Sequence, residues 1–368
     1  MIARSSLSRT VDRSGFGLVE LLIAMAIGLV VLAVLLQFAV SVHILTGGQG
    51  ETADLHQRLR VAVETMRHDL TLAGAGPARG PWRGPLNATF PPIVPARTGD
   101  IRPDPEFEFH SDRISLLYVR DDAPQTRVMS GMVSAGSPVA IDGTAPGCRP
   151  AAACDFTAGM DVLIYEASGV GGAHEIFTVG AVDGARNLLT PSVPLSRPYS
   201  AGARVAGVVR RTYYLDAPGK RLMIYDGRRS DLPLVDHVVD LRFAYYGDPR
   251  PDSVAPPEAG TTNCAYAGAP PTSLLASLGG SGPKPMDGSV LSDGPSCGQP
   301  PFRFDADLLR IRRVSFTIRL EAESAEFRAR GPTAMSPGVS RMSARTVADL
   351  QTTVDVAPPN LAAPVVMR

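Results

Sequence analysis

Glu20 is the residue whose chemistry stands out. It is the lone carboxylate at the head of an otherwise apolar stretch, Leu18 to Leu36, and it follows Phe16 by four residues. A carboxylate in lipid costs about 2.5 to 3.5 kcal/mol near the bilayer centre on insertion scales. Such a residue is a functional hypothesis by default, and its partner has to be found. Two opposite charges in low dielectric each relieve the burial cost of the other when their geometry is good. The plainer reading is a side chain that snorkels to the interface without a partner. Four cysteines fall as two local pairs, Cys148 with Cys154 and Cys264 with Cys297. In an oxidising compartment an even count points to disulfides. Three connectivities are open; the two local ones are expected, and four free thiols are the alternative. The six histidines, His43, His56, His68, His110, His174 and His237, are scattered. There is no CxxC and no histidine at ligand spacing beside the cysteines, so no metal is expected. No HExxH, GxSxG or GxxxxGK[ST] motif occurs, so no catalytic residue and no cofactor is expected. His68 beside Asp69 reads as a solvated helix face.

The elements that would position Glu20 come next. Residues 1–15 carry Arg4, Arg9 and Arg13 against Asp12. Positive charge before an apolar helix holds that end in the cytoplasm. The rest of the chain is then expected on the far side of a single-pass inner-membrane helix, in the periplasm. Leu18 to Leu36 is close to the roughly 20 residues that span a bilayer. Residues 16–45 read as the membrane half of a long helix and 46–76 as its amphipathic half. Gly47, Gly48 and Gly50 form a weak point between the two. Beyond it Leu55, Leu59, Ala62, Met66, Leu70 and Ala73 recur at spacings of three and four, one apolar face of a helix. Arg58, Arg60, Glu64, Arg67, His68 and Asp69 supply the polar remainder. Gly74 fits the C-terminal cap and Pro77 blocks continuation. The first half wants lipid or neighbouring helices; the second half wants a sheet.

Residues 77–368 read as a β-rich globular domain. The 36 glycines and 33 prolines imply many turns. Strands are predicted at 113–120, 161–167, 175–182, 203–215, 221–225, 238–246 and 309–322. The pair 161–167 and 175–182 reads as a hairpin across Gly169–Gly172. In the last of these, apolar Ile311, Val314, Phe316, Ile318 and Leu320 alternate with Arg310, Arg312, Ser315, Thr317, Arg319 and Glu321 on the polar face, and the extra Arg313 predicts a bulge. Residues 248–301, crowded with Pro, Gly and Ser and holding Cys264 and Cys297, read as a long insertion. Residues 328–345 read as irregular and the tail after Val356 as loose. The 36 basic and 36 acidic residues balance, which argues against a nucleic-acid surface.

The run Gly15-Phe16-Gly17-Leu18-Val19-Glu20 after a basic leader resembles the N-terminal signal of type IV prepilins and type II secretion pseudopilins. That resemblance implies cleavage by a prepilin peptidase after Gly15 and N-methylation of Phe16. It also implies a role for Glu20, at mature position five, in registering one subunit on the next through the neighbouring amine. Gly17 departs from the usual Thr or Ser. A secretory signal would need a small-x-small site after the apolar run, and Gln37 to Ser41 offers a poor one. Arg67 to Gly74 loosely resembles the PilW group of minor pilins, and Leu234 to Tyr246 followed by Leu309 to Ala322 loosely resembles the sheet core shared by PilW and the J-type pseudopilins; J-type pseudopilins are usually shorter. The resemblance implies an α+β, pilin-like fold: a long helix laid on an antiparallel sheet with long loop insertions. Its implied partners are the peptidase, membrane lipid, other minor pilins, the major pilin and the inner-membrane assembly platform, with incorporation in the pilus. A J-type pseudopilin and an adhesive or DNA-uptake tip pilin are the alternatives.

Overall fold

The structure, a computed structural model, describes residues 17–77, 84–149, 152–166, 174–250, 273–280, 282–297, 303–328, 334–335 and 347–362. At residues 40, 41, 43–48, 273, 334 and 335 it describes the backbone alone.

One helix, Leu18–Leu72, runs for 55 residues, about 80 Å at 1.5 Å per residue. Its backbone stays helical through Gly47, Gly48 and Gly50, so three glycines cost propensity there without ending the helix. The helix terminates after Leu72. Gly74 takes φ +80°, and a Cβ there would come within 2.7 Å of Leu361. Asn360 Nδ2 donates to the Leu72 carbonyl at 3.4 Å. The tail after Val356, expected to be loose, is therefore engaged as far as Leu361, which is buried in the main core.

The second half of the helix buries Leu55, Leu59, Ala62, Met66, Leu70 and Ala73, each at most 5% exposed. This is the face read from the periodicity. It lies over strands of two antiparallel five-stranded sheets. The first runs Ile93–Val94, Arg113–Tyr118, Val209–Asp216, Arg221–Tyr225, Asp231–Asp236. The second runs Lys284–Met286, Val238–Gly247, Ile311–Leu320, Asp349–Val356, with Ala334–Met335 added in parallel at the edge. The chain passes from one to the other at His237, φ +59°. Helix and both sheets share one hydrophobic core, the α+β arrangement expected from the sequence.

A third sheet of six strands was not anticipated. Its order is Gln125–Arg127, Arg204–Gly207, Asp161–Tyr165, His174–Asp183, Leu188–Pro191, Val139–Ala140. It is inserted between two neighbouring strands of the first sheet and has its own core around Val139, Val162, Ile164, Leu189 and Val205. The Asp161–Tyr165 and His174–Asp183 strands pair as a hairpin; its Gly169–Gly172 turn lies outside the described residues. The single strand expected over 203–215 is two strands in two sheets. Gly207 sits where a Cβ would meet Pro124 at 3.1 Å, and the chain crosses between sheets at Val208.

The bulge expected at Arg313 is present: Tyr246 pairs with Arg313 and Gly247 with Ile311, leaving Arg312 extra. Residues 306–310 form a 3₁₀ turn instead of starting the strand. Arg310 and Arg312, placed on the polar face by alternation, are buried at 1% and 7% exposure. Arg310 Nη1 donates to the Arg250 carbonyl at 2.7 Å, and Arg312 Nη1 donates to the Leu309 and Ile311 carbonyls. Burial pushes the Arg312 guanidinium down to about 10. These contacts fasten the base of the 248–301 insertion to the central strand. The described parts of that insertion are ordered by pairing: Lys284–Met286 extends the second sheet, and Ser296–Cys297 pairs with Phe304–Asp305.

Met66 is fully buried and Val61 is 43% exposed on the same helix. Met66→Ala is expected to lower unfolding free energy by about 2 to 5 kcal/mol, and Val61→Ala to change it by no more than about 0.5 kcal/mol. Denaturant titration of the two variants checks both values.

Candidate functional site

The candidate site is the head of the long helix. Gly17 is its extended N-cap, and the Leu21 N–H donates to the Gly17 carbonyl at 3.1 Å. Glu20 lies in the first turn, where a negative charge is favoured by the helix dipole. It is exposed and makes no hydrogen bond or ion pair among the described residues. Around it Leu18, Val19, Leu21, Leu22 and Ile23 are all more than half exposed. Leu18–Ala39, 22 residues, is long and apolar enough to cross a membrane, and none of it is buried against the rest of the chain. Helical geometry puts Glu20 near one end of that span. Gly15 and Phe16 lie outside the described residues.

Residues 12–36 match the prokaryotic N-terminal methylation motif. The matched residues include Gly15, Phe16 and Glu20. The match supports a pilin or pseudopilin role, reached through processing by prepilin peptidase and assembly into a pilus or pseudopilus. Together with the apolar helix it points to membrane anchoring by a single pass. No curated protein and no solved structure matches the chain.

How the globular part holds this helix can be read from its polar contacts. At the point where the helix enters the fold, Glu51 accepts from the backbone N–H groups of Glu323 and Ser324. Arg58 pairs with Asp54 at 2.6 Å and lies 3.8 Å from Glu51. Near the other end, Asp69 is buried, not solvated as expected. Its two carboxylate oxygens accept from Tyr118 Oη at 3.0 Å and Tyr213 Oη at 2.6 Å. Both tyrosines stand on the first sheet. Burial, reinforced by the Asp69 charge, pushes both phenols up, so each stays a donor. The signal for this was present: Asp69 lies seven residues after Ala62, on the apolar stripe. His68 is exposed, as read.

The cysteine readings fall as follows. Cys148 and Cys154 are bonded, with S–S 1.98 Å, at the rim of the inserted sheet's core. Cys297 is disulfide-bonded, while Cys264, its expected partner, lies outside the described residues. Three carboxylates, Asp293, Asp305 and Asp307, come within 4.8 Å of one another. Partners within the fold answer two of them: Arg310 Nε lies 3.4 Å from Asp307, and Asp305 accepts from the Gly294 and Asp307 N–H groups.

Asp69→Ala would leave two buried phenols without their acceptor, a loss of about 2 to 3 kcal/mol in unfolding free energy. Asp69→Asn, which retains one acceptor oxygen, is expected to lose less. Thermal unfolding of the two variants beside the parent distinguishes them.

Proposed function

We propose that this chain is a minor pilin of the PilW type, which helps to initiate or assemble type IV pili. The observation that carries the reading is Glu20, set in the first turn of an apolar helix unburied among the described residues and inside the stretch that matches the methylation motif. The peptidase removes residues 1–15 and the new N-terminus at Phe16 is methylated. The basic leader keeps that end cytoplasmic, and the sheets lie in the periplasm. On assembly the apolar half of the helix leaves lipid for the helices of neighbouring subunits. There the Glu20 carboxylate meets the N-terminal amine of the adjacent subunit, and each charge offsets the burial cost of the other. The protein's work is packing and registration; the covalent chemistry is done on it, by the peptidase and the methylating activity. Minor pilins, the major pilin and the assembly platform are the partners.

Length and the large insertions favour the PilW type over a J-type pseudopilin. The inserted sheet and the described parts of the 248–301 elaboration add walls and loops that a helix-on-sheet core does not need. Complementation separates the two machines: the gene restores pili in one case and protein secretion in the other.

Glu20→Ala is expected to leave removal of residues 1–15 intact and to reduce incorporation into sheared fibres by at least about tenfold, the equivalent of one good buried ion pair. Immunoblots of membrane and fibre fractions measure both. Loss of processing in this variant would sink the assignment of Glu20 to assembly.

A further inference from the structure

A cavity of about 700 Å³ opens where the elaborations of the fold converge. One wall is the proline-rich loop 91–108. The floor is the strand Arg113–Tyr118, through Leu116 and Leu117. The inserted sheet contributes Glu175 and Ile176, and the far wall is Phe304, Asp305 and Leu308. The helix contributes nothing to it. Its volume falls within the range of sites that hold small organic ligands.

The charges on the walls do not balance. Three guanidinium groups line the cavity, and each is answered within the fold. Arg97 pairs with Asp231 at 3.0 Å and lies over the Tyr214 and Tyr225 rings. Arg210 donates to the Gly227 carbonyl and lies 3.6 Å from Asp100. Arg303 lies 3.9 Å from Glu106 and over the Phe107 ring. Among the lining carboxylates, Asp104 is held by Arg113 and Glu108 by His110. Glu175 and Asp305 differ. Glu175 accepts from the Ser196 N–H and hydroxyl, and nearby Arg197 spends its guanidinium on Glu166 at 3.3 Å. Asp305, 1% exposed, accepts from the Gly294 and Asp307 N–H groups. Both are satisfied as hydrogen-bond acceptors by neutral donors, which leaves their negative charge without a contacting cation among the described residues. Burial pushes both carboxyls above the usual carboxylate range, a cost that an incoming positive charge would relieve.

We propose that this cavity binds an organic cation, an ammonium or guanidinium group carried on an apolar body. Glu175 and Asp305 supply the countercharge, and Leu116, Ile176, Phe304 and Leu308 supply the apolar contact. The same chemistry is offered by a basic side chain in an extended peptide and by a free polyamine. The proposal does not depend on the assembly role of Glu20, so either can fail alone.

The test is calorimetric titration of the full-length protein in detergent with three probes: a blocked Leu-Arg-Leu tripeptide, the matched Leu-Glu-Leu tripeptide, and spermidine. The arginine peptide is expected to bind saturably and the glutamate peptide not to bind. Glu175→Gln, which keeps an acceptor for Ser196, is expected to weaken the arginine peptide by about tenfold with an unchanged melting temperature. If that variant does not fold, Asp305→Asn takes its place. Binding of spermidine without the arginine peptide would support the cation chemistry and assign the source to free amines. Saturable binding of neither cation, equal binding of the glutamate peptide, or unchanged affinity in the folded variant would overturn the proposal.

Discussion

One helix has to satisfy two solvents, and the rest of the molecule depends on how it does so. Its first half is apolar on every side and finds no cover within the chain. Its second half is apolar on one stripe and finds full cover. A helix that exposes apolar side chains all round is stable only in lipid or among other such helices. The stripe carries its own stabilisation, about 1.5 to 3 kcal/mol for each fully buried large side chain. Near Glu51 the helix is bonded to the loop after Ile311–Leu320, through the backbone of Glu323 and Ser324. The apolar span Leu18–Ala39 has no cover among the described residues.

The polar contacts along the second half give the helix a fixed register. Hydrophobic packing alone permits sliding and rotation, since Leu, Met and Ala contacts are not directional. Asp69 removes that freedom, because its two oxygens bond tyrosines on two adjacent strands of the first sheet. Asn360 and Leu361 close the C-terminal end from the second sheet's side. The helix is thereby fixed against the first sheet and against the turn after the last strand of the second by directional bonds.

What could be read from the sequence was whatever repeats with a short period. The apolar face from Leu55 to Ala73 follows the 3.6-residue period, and all six of its members are buried. The alternation around Phe316 and Ile318, and the irregularity at Arg313, follow the two-residue period. Of the inserted sheet, the hairpin of Asp161–Tyr165 with His174–Asp183 was legible and the rest was not. The strands Gln125–Arg127 and Val139–Ala140 have only three and two residues, and they pair with Arg204–Gly207 and Leu188–Pro191 across long sequence distances that no local pattern encodes. The split of 203–215 between two sheets was hidden because apolar residues continue straight through Val208. Arg310 and Arg312 were misplaced because a buried guanidinium is decided by the carbonyls that surround it, and those come from Arg250 and from the turn itself. Asp69 was misread for a related reason: its residue type outweighed its position on the stripe. At the head of the helix, Gly15, Phe16 and Glu20 belong to one short run that the matched residues 12–36 include, while the cavity between loop 91–108 and the inserted sheet exists only through tertiary convergence.

The central claim is that this chain is cut and methylated at its N-terminus and enters assembly by its apolar helix. The most direct test is the intact mass of the protein purified from the membranes of its own host. The account predicts a species lacking residues 1–15 and carrying one added methyl group on Phe16. A full-length, unmethylated mass would contradict it, leaving a signal-anchored protein in which Glu20 has no amine to meet.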